Sequence, residues 1–171
     1  MSWTSIPAAG AKLRGSVLSS LVTELRPVTV VKGSDEIVSN SATLQDDDEL
    51  LLAVAANVTY RWSIGVAFGA GTAADFKFAF TFPTGATLTF VGPAWDTALA
   101  FLPFGNSGTY TSGAALTYGG AGVGTFRGVD LRGTLTMSST AGNFRFQWAQ
   151  NAATVENTVV KGGSWMEVAQ R

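Results

Sequence analysis

Residues 58–68 read Val-Thr-Tyr-Arg-Trp-Ser-Ile-Gly-Val-Ala-Phe, an alternation of large apolar with small or polar side chains. A period of two sends Val58, Tyr60, Trp62, Ile64, Val66 and Phe68 to one face and Thr59, Arg61, Ser63, Gly65 and Ala67 to the other. That is the side-chain geometry of a half-buried strand. The period returns in Phe76-Phe78-Phe80-Phe82, in Val129-Leu131-Leu135-Met137 and in Phe144-Phe146-Trp148. Most of the chain is therefore committed to one layered β core.

The 171 residues fit one domain with a short appendage. A domain of this size buries roughly 70% of its unfolded surface, enough for a core without covalent staples. There is no cysteine and no histidine. Disulfides, thiolate sites, Ser-His-Asp and Cys-His catalysis and the commonest zinc sites are excluded together, because each needs a thiol or an imidazole. Eleven basic and twelve acidic residues are mixed along the chain, which argues against a nucleic-acid footprint. Charged residues make up only 13% of the chain against roughly 25% in an average soluble domain. A surface so poor in charge points to subunit interface. No run approaches the roughly eighteen apolar residues of a membrane helix, and the N-terminus lacks the pattern of a secretory signal, so a soluble, unprocessed protein is expected.

Along the chain, Leu13, Val17, Leu18, Leu21 and Leu25 recur at helical spacing until Pro27 ends the pattern. Residues 1–27 are thus expected to form an amphipathic segment that either caps an open end of its own sandwich or serves as an anchor or oligomerisation segment, and residues 28–171 the β-domain. A valine-rich run at 28–32 leads through a Gly33-Ser34-Asp35 turn to a weak strand at 36–44. Asp46-Asp47-Asp48-Glu49 reads as an acidic turn before a strand beginning at Leu50. Residues 58–91 read as a meander of neighbouring antiparallel strands. Between 92 and 124 the alternation fails, although Trp95, Phe101, Phe104 and Tyr110 make the stretch too apolar to stay free, so it is expected to pack. One irregular strand is expected within it near 114–118, and its Gly119-Gly120-Ala121-Gly122-Val123-Gly124 run reads as a flexible turn without P-loop features. Strands return at 125–138, 143–150, 158–161 and 164–169. The expected fold is all-β, an antiparallel, jelly-roll-like sandwich of about eight strands with a short N-terminal amphipathic helix.

Few residues invite chemistry. The acidic run is the strongest cation candidate, since adjacent carboxylates repel and a hard cation relieves that, but it lacks the alternating spacing of a calcium loop. A solvated turn is the preferred reading. Asp75, Asp96, Asp130, Glu156 and Glu167 are scattered, and no spacing selects a pair for glycoside hydrolysis. Gly105-Asn106-Ser107-Gly108 has no imidazole to activate its hydroxyl. No enzyme activity and no cofactor are expected. Trp62 and Trp148 fall in phase with core positions, whereas Trp95, Phe104 and Tyr110 are the candidate ligand or partner surface.

The segments in series, TLQDDDELLL at 43–52, AANVTYRW at 55–62, GTAADFKFAFTFPTGA at 71–86 and RGTLTMSSTAGNFRFQWAQNAATVENTVVKGGSWMEV at 132–168, resemble small virion proteins of tailed bacteriophages infecting actinobacteria. These are often described as minor tail proteins, and similar β domains decorate capsids. The resemblance implies a non-enzymatic structural protein, made in the host cytoplasm and displayed on the exterior of capsid or tail. Its implied partners are itself, as a homotrimer, and the major capsid or tail protein. A host-surface glycan is the alternative partner, and neither nucleic acid nor membrane is expected.

Overall fold

The computed structural model of the chain describes residues 26–98 and 100–171, with backbone alone at 104–107. Among the described residues there are twelve strands and no helix: β1 (Val28–Val31), β2 (Glu36–Val38), β3 (Gln45–Val54), β4 (Thr59–Gly69), β5 (Phe76–Thr81), β6 (Thr87–Trp95), β7 (Phe101–Tyr110), β8 (Leu116–Tyr118), β9 (Phe126–Thr136), β10 (Gly142–Gln150), β11 (Thr158–Val160) and β12 (Trp165–Gln170). The expected N-terminal helix, with Leu13, Val17, Leu18, Leu21 and Leu25, lies outside the described residues.

Two antiparallel sheets form a sandwich. The larger runs β1-β12-β4-β9-β6-β7, with β11 and β2 added beside β4, and the smaller runs β3-β10-β5-β8. The pairing is nested: β1 with β12, β3 with β10, β4 with β9 and β5 with β8. The chain thus behaves as one long hairpin wrapped across both sheets. The β6–β7 hairpin is inserted in its middle and extends the larger sheet past β9.

Each alternating strand turns its apolar set into the gap between the sheets. Trp62 of β4 meets Phe80 and Phe144 of the smaller sheet edge to face, with centroids 5.1 and 5.3 Å apart. Phe68 stacks on Phe76 across the same gap at 4.2 Å. Phe78, Phe146 and Trp148 are fully buried. Burying each such side chain contributes about 2–3 kcal/mol, and edge-to-face rings add specificity of orientation. The Trp62 indole N–H donates to the Thr89 carbonyl at 3.2 Å. Gly133 stands opposite both Trp62 and Phe90. A Cβ there would lie 2.7 Å from the Phe90 Cα and closer still to the Thr89 carbonyl oxygen.

Five expectations are corrected. The strands over 58–91 are not a meander, because β5 belongs to the opposite sheet from β4 and β6. The strand expected over 36–44 is confined to Glu36–Val38. The acidic run is not a turn but part of β3. The stretch 92–124 holds more than one irregular strand near its end: it completes β6 and contains the ten-residue β7 as well as β8. Finally, the glycine run is packed at its start, where Gly119 and Gly120 are buried. A Cβ on Gly120 would lie 2.7 Å from the Ala70 carbonyl oxygen.

Candidate functional site

Three places collect polar, charged or exposed aromatic groups, and the first is the acidic run. Gln147 pairs with Asp46 and Arg145 with Leu51, so residues 47–50 oppose the single residue Phe146 in a bulge larger than the usual two residues against one. The bulge shifts the alternation and turns Asp47 inward, while Asp46 and Asp48 stay exposed. Asp47 Oδ1 accepts the backbone N–H groups of Glu49 at 3.0 Å and Leu50 at 2.9 Å, and Lys32 Nζ at 3.0 Å. Lys32 also donates to Glu36 at 2.7 Å, and Glu36 in turn accepts from Gln45 at 2.8 Å. Lys32, only 2% exposed, ties the end of β1 to β3 across the edge of the sandwich.

Burial pulls the Lys32 ammonium toward neutrality, but hydrogen bonds to Glu36 and Asp47 outweigh it and hold the pKa above the usual lysine value of 10.5. The ammonium occupies the place a cation would take. Among the described residues no group of three or more acidic, histidine or cysteine side chains is arranged to hold a metal ion. The preferred reading of a solvated turn is corrected at Asp47, whose carboxylate is buried and paired. Asp46 does face solvent, bonded to Arg145 and, at 2.8 Å, to Gln147. Those bonds, Gln147 first, lower its pKa below the usual carboxylate value.

The second place is the β6–β7 hairpin. Trp95 stands opposite Phe101 at one end, whereas Tyr110 stands opposite Leu88 at the other. The hairpin therefore does not bring Trp95 and Tyr110 together. Trp95 packs on the core with the Arg127 guanidinium 4.1 Å from its ring centroid, and Tyr110 stacks on Phe90 at 3.7 Å. Phe104 lies in β7, and its side chain is outside the described set. Beside Trp95, Phe101 and Leu102 remain exposed by 52% and 42%.

The third place, missed in the sequence, is the outer face of the larger sheet. Register sets Ser63 between Glu167 and Arg132, Arg61 between Ala169 and Thr134, and Gly65 between Trp165 and Asp130. The Arg171 N–H donates to the Thr59 carbonyl at 2.9 Å, which continues this face by one row. All of these except Thr59 and Gly65 line a shallow depression of about 640 Å³. The Trp165 indole lies across Gly65, where a Cβ would fall 2.6 Å from Nε1 and 2.8 Å from Cε2. The ring therefore rests on bare backbone and is held along the sheet. The signal was present in the alternation itself, which put Arg61, Ser63 and Gly65 on one face, but their neighbours depend on a pairing no local pattern specifies.

No family model matches the chain, and no curated protein matches it. Among solved structures, similarity is found to infectious bursal disease virus, Gt strain, at 11% identity and a TM-score of 0.24, covering 85% of this chain and 41% of that one. The VP2 subviral particle of infectious bursal disease virus gives 8% identity and a TM-score of 0.24 over 85% of this chain and 42% of that chain. The chain thus spans about two fifths of the length of the proteins it is matched with. A TM-score of 0.24 lies below the value at which two chains share a fold.

Proposed function

We propose that this chain is a non-enzymatic structural protein of a virion, a jelly-roll building block that associates with copies of itself on the outside of capsid or tail. The nested strand pairing is the order of a jelly roll, an architecture used in capsid and lectin domains and in cupins. Fold alone does not assign function. The observation that carries the reading is the pair of apolar edges on the larger sheet. At one edge, Val28 and Val31 of β1 are 57% and 60% exposed, and at the other, Phe101 and Leu102 of β7 are uncovered. Exposed apolar residues on unpaired strand edges favour association. Because the two edges differ and lie at opposite ends of the sheet, contact between copies is head to tail and closes as a ring when the rotation allows. A trimer satisfies that geometry. The sequence resemblance to actinobacteria-infecting phage virion proteins points the same way. In this reading residues 1–27 anchor the ring to the major capsid or tail protein.

Size-exclusion chromatography with light scattering tests the ring. Three chains per particle are expected for the full chain, and the pair Phe101→Ser and Leu102→Ser should give a folded monomer with an unchanged circular dichroism spectrum. A wild-type monomer at high concentration, or a trimer unaffected by substitutions at either edge, overturns the proposed assembly.

A further inference from the structure

Apart from the exposed Arg26 beside β1, the cations elsewhere among the described residues are engaged: Lys32 by Glu36 and Asp47, Arg145 by Asp46, Lys161 by Asp35, Lys77 by the Ala42 carbonyl and Arg127 by Trp95. Arg61, Arg132 and Arg171 differ. Among the described residues none of the three has a side-chain hydrogen bond or an ion pair, and all three border the depression on the outer sheet face. Asp130 and Glu167 border the same place, yet neither forms an ion pair with an arginine among the described residues, and Glu167 accepts from Thr29 instead. Three forked donors are left pointing at one concave place, beside an indole that is 37% exposed and whose N–H has no partner among the described residues.

We infer that this depression binds an anionic saccharide, one carrying carboxylate or phosphate groups, with Arg61, Arg132 and Arg171 holding the anion and Trp165 the sugar ring. Guanidinium forks match carboxylate and phosphate oxygens in bidentate fashion. The indole, laid across Gly65, offers an apolar surface to the C–H face of a pyranose while its N–H is free to donate to a ring substituent. Asp130 and the Glu167 carboxylate, which already accepts from Thr29 at 3.0 Å, supply acceptors for sugar hydroxyls. A volume near 640 Å³ accommodates one or two sugar rings, within the usual range of roughly 300–1,000 Å³ for small-ligand sites. An acidic peptide would use the arginines but has no need of the indole or the two carboxylates, which disfavour it. The inference concerns the chain itself and does not rest on the virion reading.

Calorimetric titration of the full chain with hexagalacturonate and with a phosphomannan oligosaccharide tests it, with maltohexaose as the neutral control and hexaglutamate as the acidic peptide. Saturable binding of at least one anionic saccharide is expected, weakened by added salt, and about tenfold or more weaker in Arg132→Gln. Trp165→Ala should weaken it comparably, and Trp165→Phe should retain most of it. Urea midpoints of Arg132→Gln and Trp165→Phe should stay near the wild-type value, whereas Trp165→Ala, which uncovers Gly65, lowers it while the protein stays folded at the titration temperature; an arginine variant that unfolds is replaced by Arg61→Gln. No saturable binding of either anionic saccharide overturns the inference. So does equal or tighter binding of hexaglutamate, or affinity unchanged by Trp165→Ala, either of which makes the face a docking surface for acidic protein.

Discussion

Replacing Lys32 by Met leaves Asp47 buried without its cation. None of the Asp47 side chain is exposed and only 1% of the Lys32 side chain is, so water cannot take over the lost contact. Removing one partner of a buried pair costs about 3–5 kcal/mol. Asp47 keeps the backbone donors of Glu49 and Leu50, which places the loss in the lower half of that range, about 3–4 kcal/mol. Against a total stability on the order of 5–15 kcal/mol, this is a large share. Adding Asp47→Asn keeps an acceptor for the bulge while removing the buried charge, so the double variant should regain about 1–2 kcal/mol. Urea unfolding at matched protein concentration, followed by tryptophan fluorescence, gives both numbers provided the slopes agree. The wild type adds a check on sign. Because the Lys32 pKa is raised on folding, its contribution is complete below 10.5 and fades as pH climbs through the higher folded value, and Lys32→Met should abolish that alkaline limb. A single variant losing less than about 1 kcal/mol, or a double variant no better than the single, refutes the account of the pair.

Gly133→Ala should destabilise by about 3 kcal/mol or prevent folding, because its methyl group would meet the β6 backbone at Thr89 and Phe90; Gly128→Ala, whose nearest neighbour is the Val66 carbonyl oxygen at 3.8 Å, should change the urea midpoint little. Asp46→Asn should flatten the acid limb of stability. The lowered Asp46 pKa makes its contribution present above the usual value of 3.8 and lost as pH falls through the folded value, and exposure of the pair keeps the effect below about 1 kcal/mol.

The core strands were legible because burial on one face writes a period of two into the residues. β4 and β10 show it plainly, with Trp62 and Phe144 alternating inward as the pattern required. β7 was hidden for the opposite reason. An edge strand has one side unpaired and little of either face covered, so Gly105, Ser107 and Gly108 are tolerated and Pro103 loses no ladder bond that matters. The acidic half of β3 was misread because four adjacent acids look solvated until Lys32 is known to stand among them. The outer-face site was the least legible part. Arg61, Arg132 and Arg171 are distant in sequence, and they converge only through the registers of β4, β9 and β12.

The nested pairing also governs how the chain can reach its native state. β4 is flanked by β9 and β12, so one long side of the strand that carries Tyr60, Trp62 and Phe68 waits for the last strand in chain order before its hydrogen bonds are filled. Contacts between distant residues are intrinsically slow to form, and a half-finished sheet presents a sticky edge in the meantime. Synthesis must therefore run through residue 170 before the sandwich can close, and losing the short β12 should produce aggregates where losing a peripheral strand such as β2 would not.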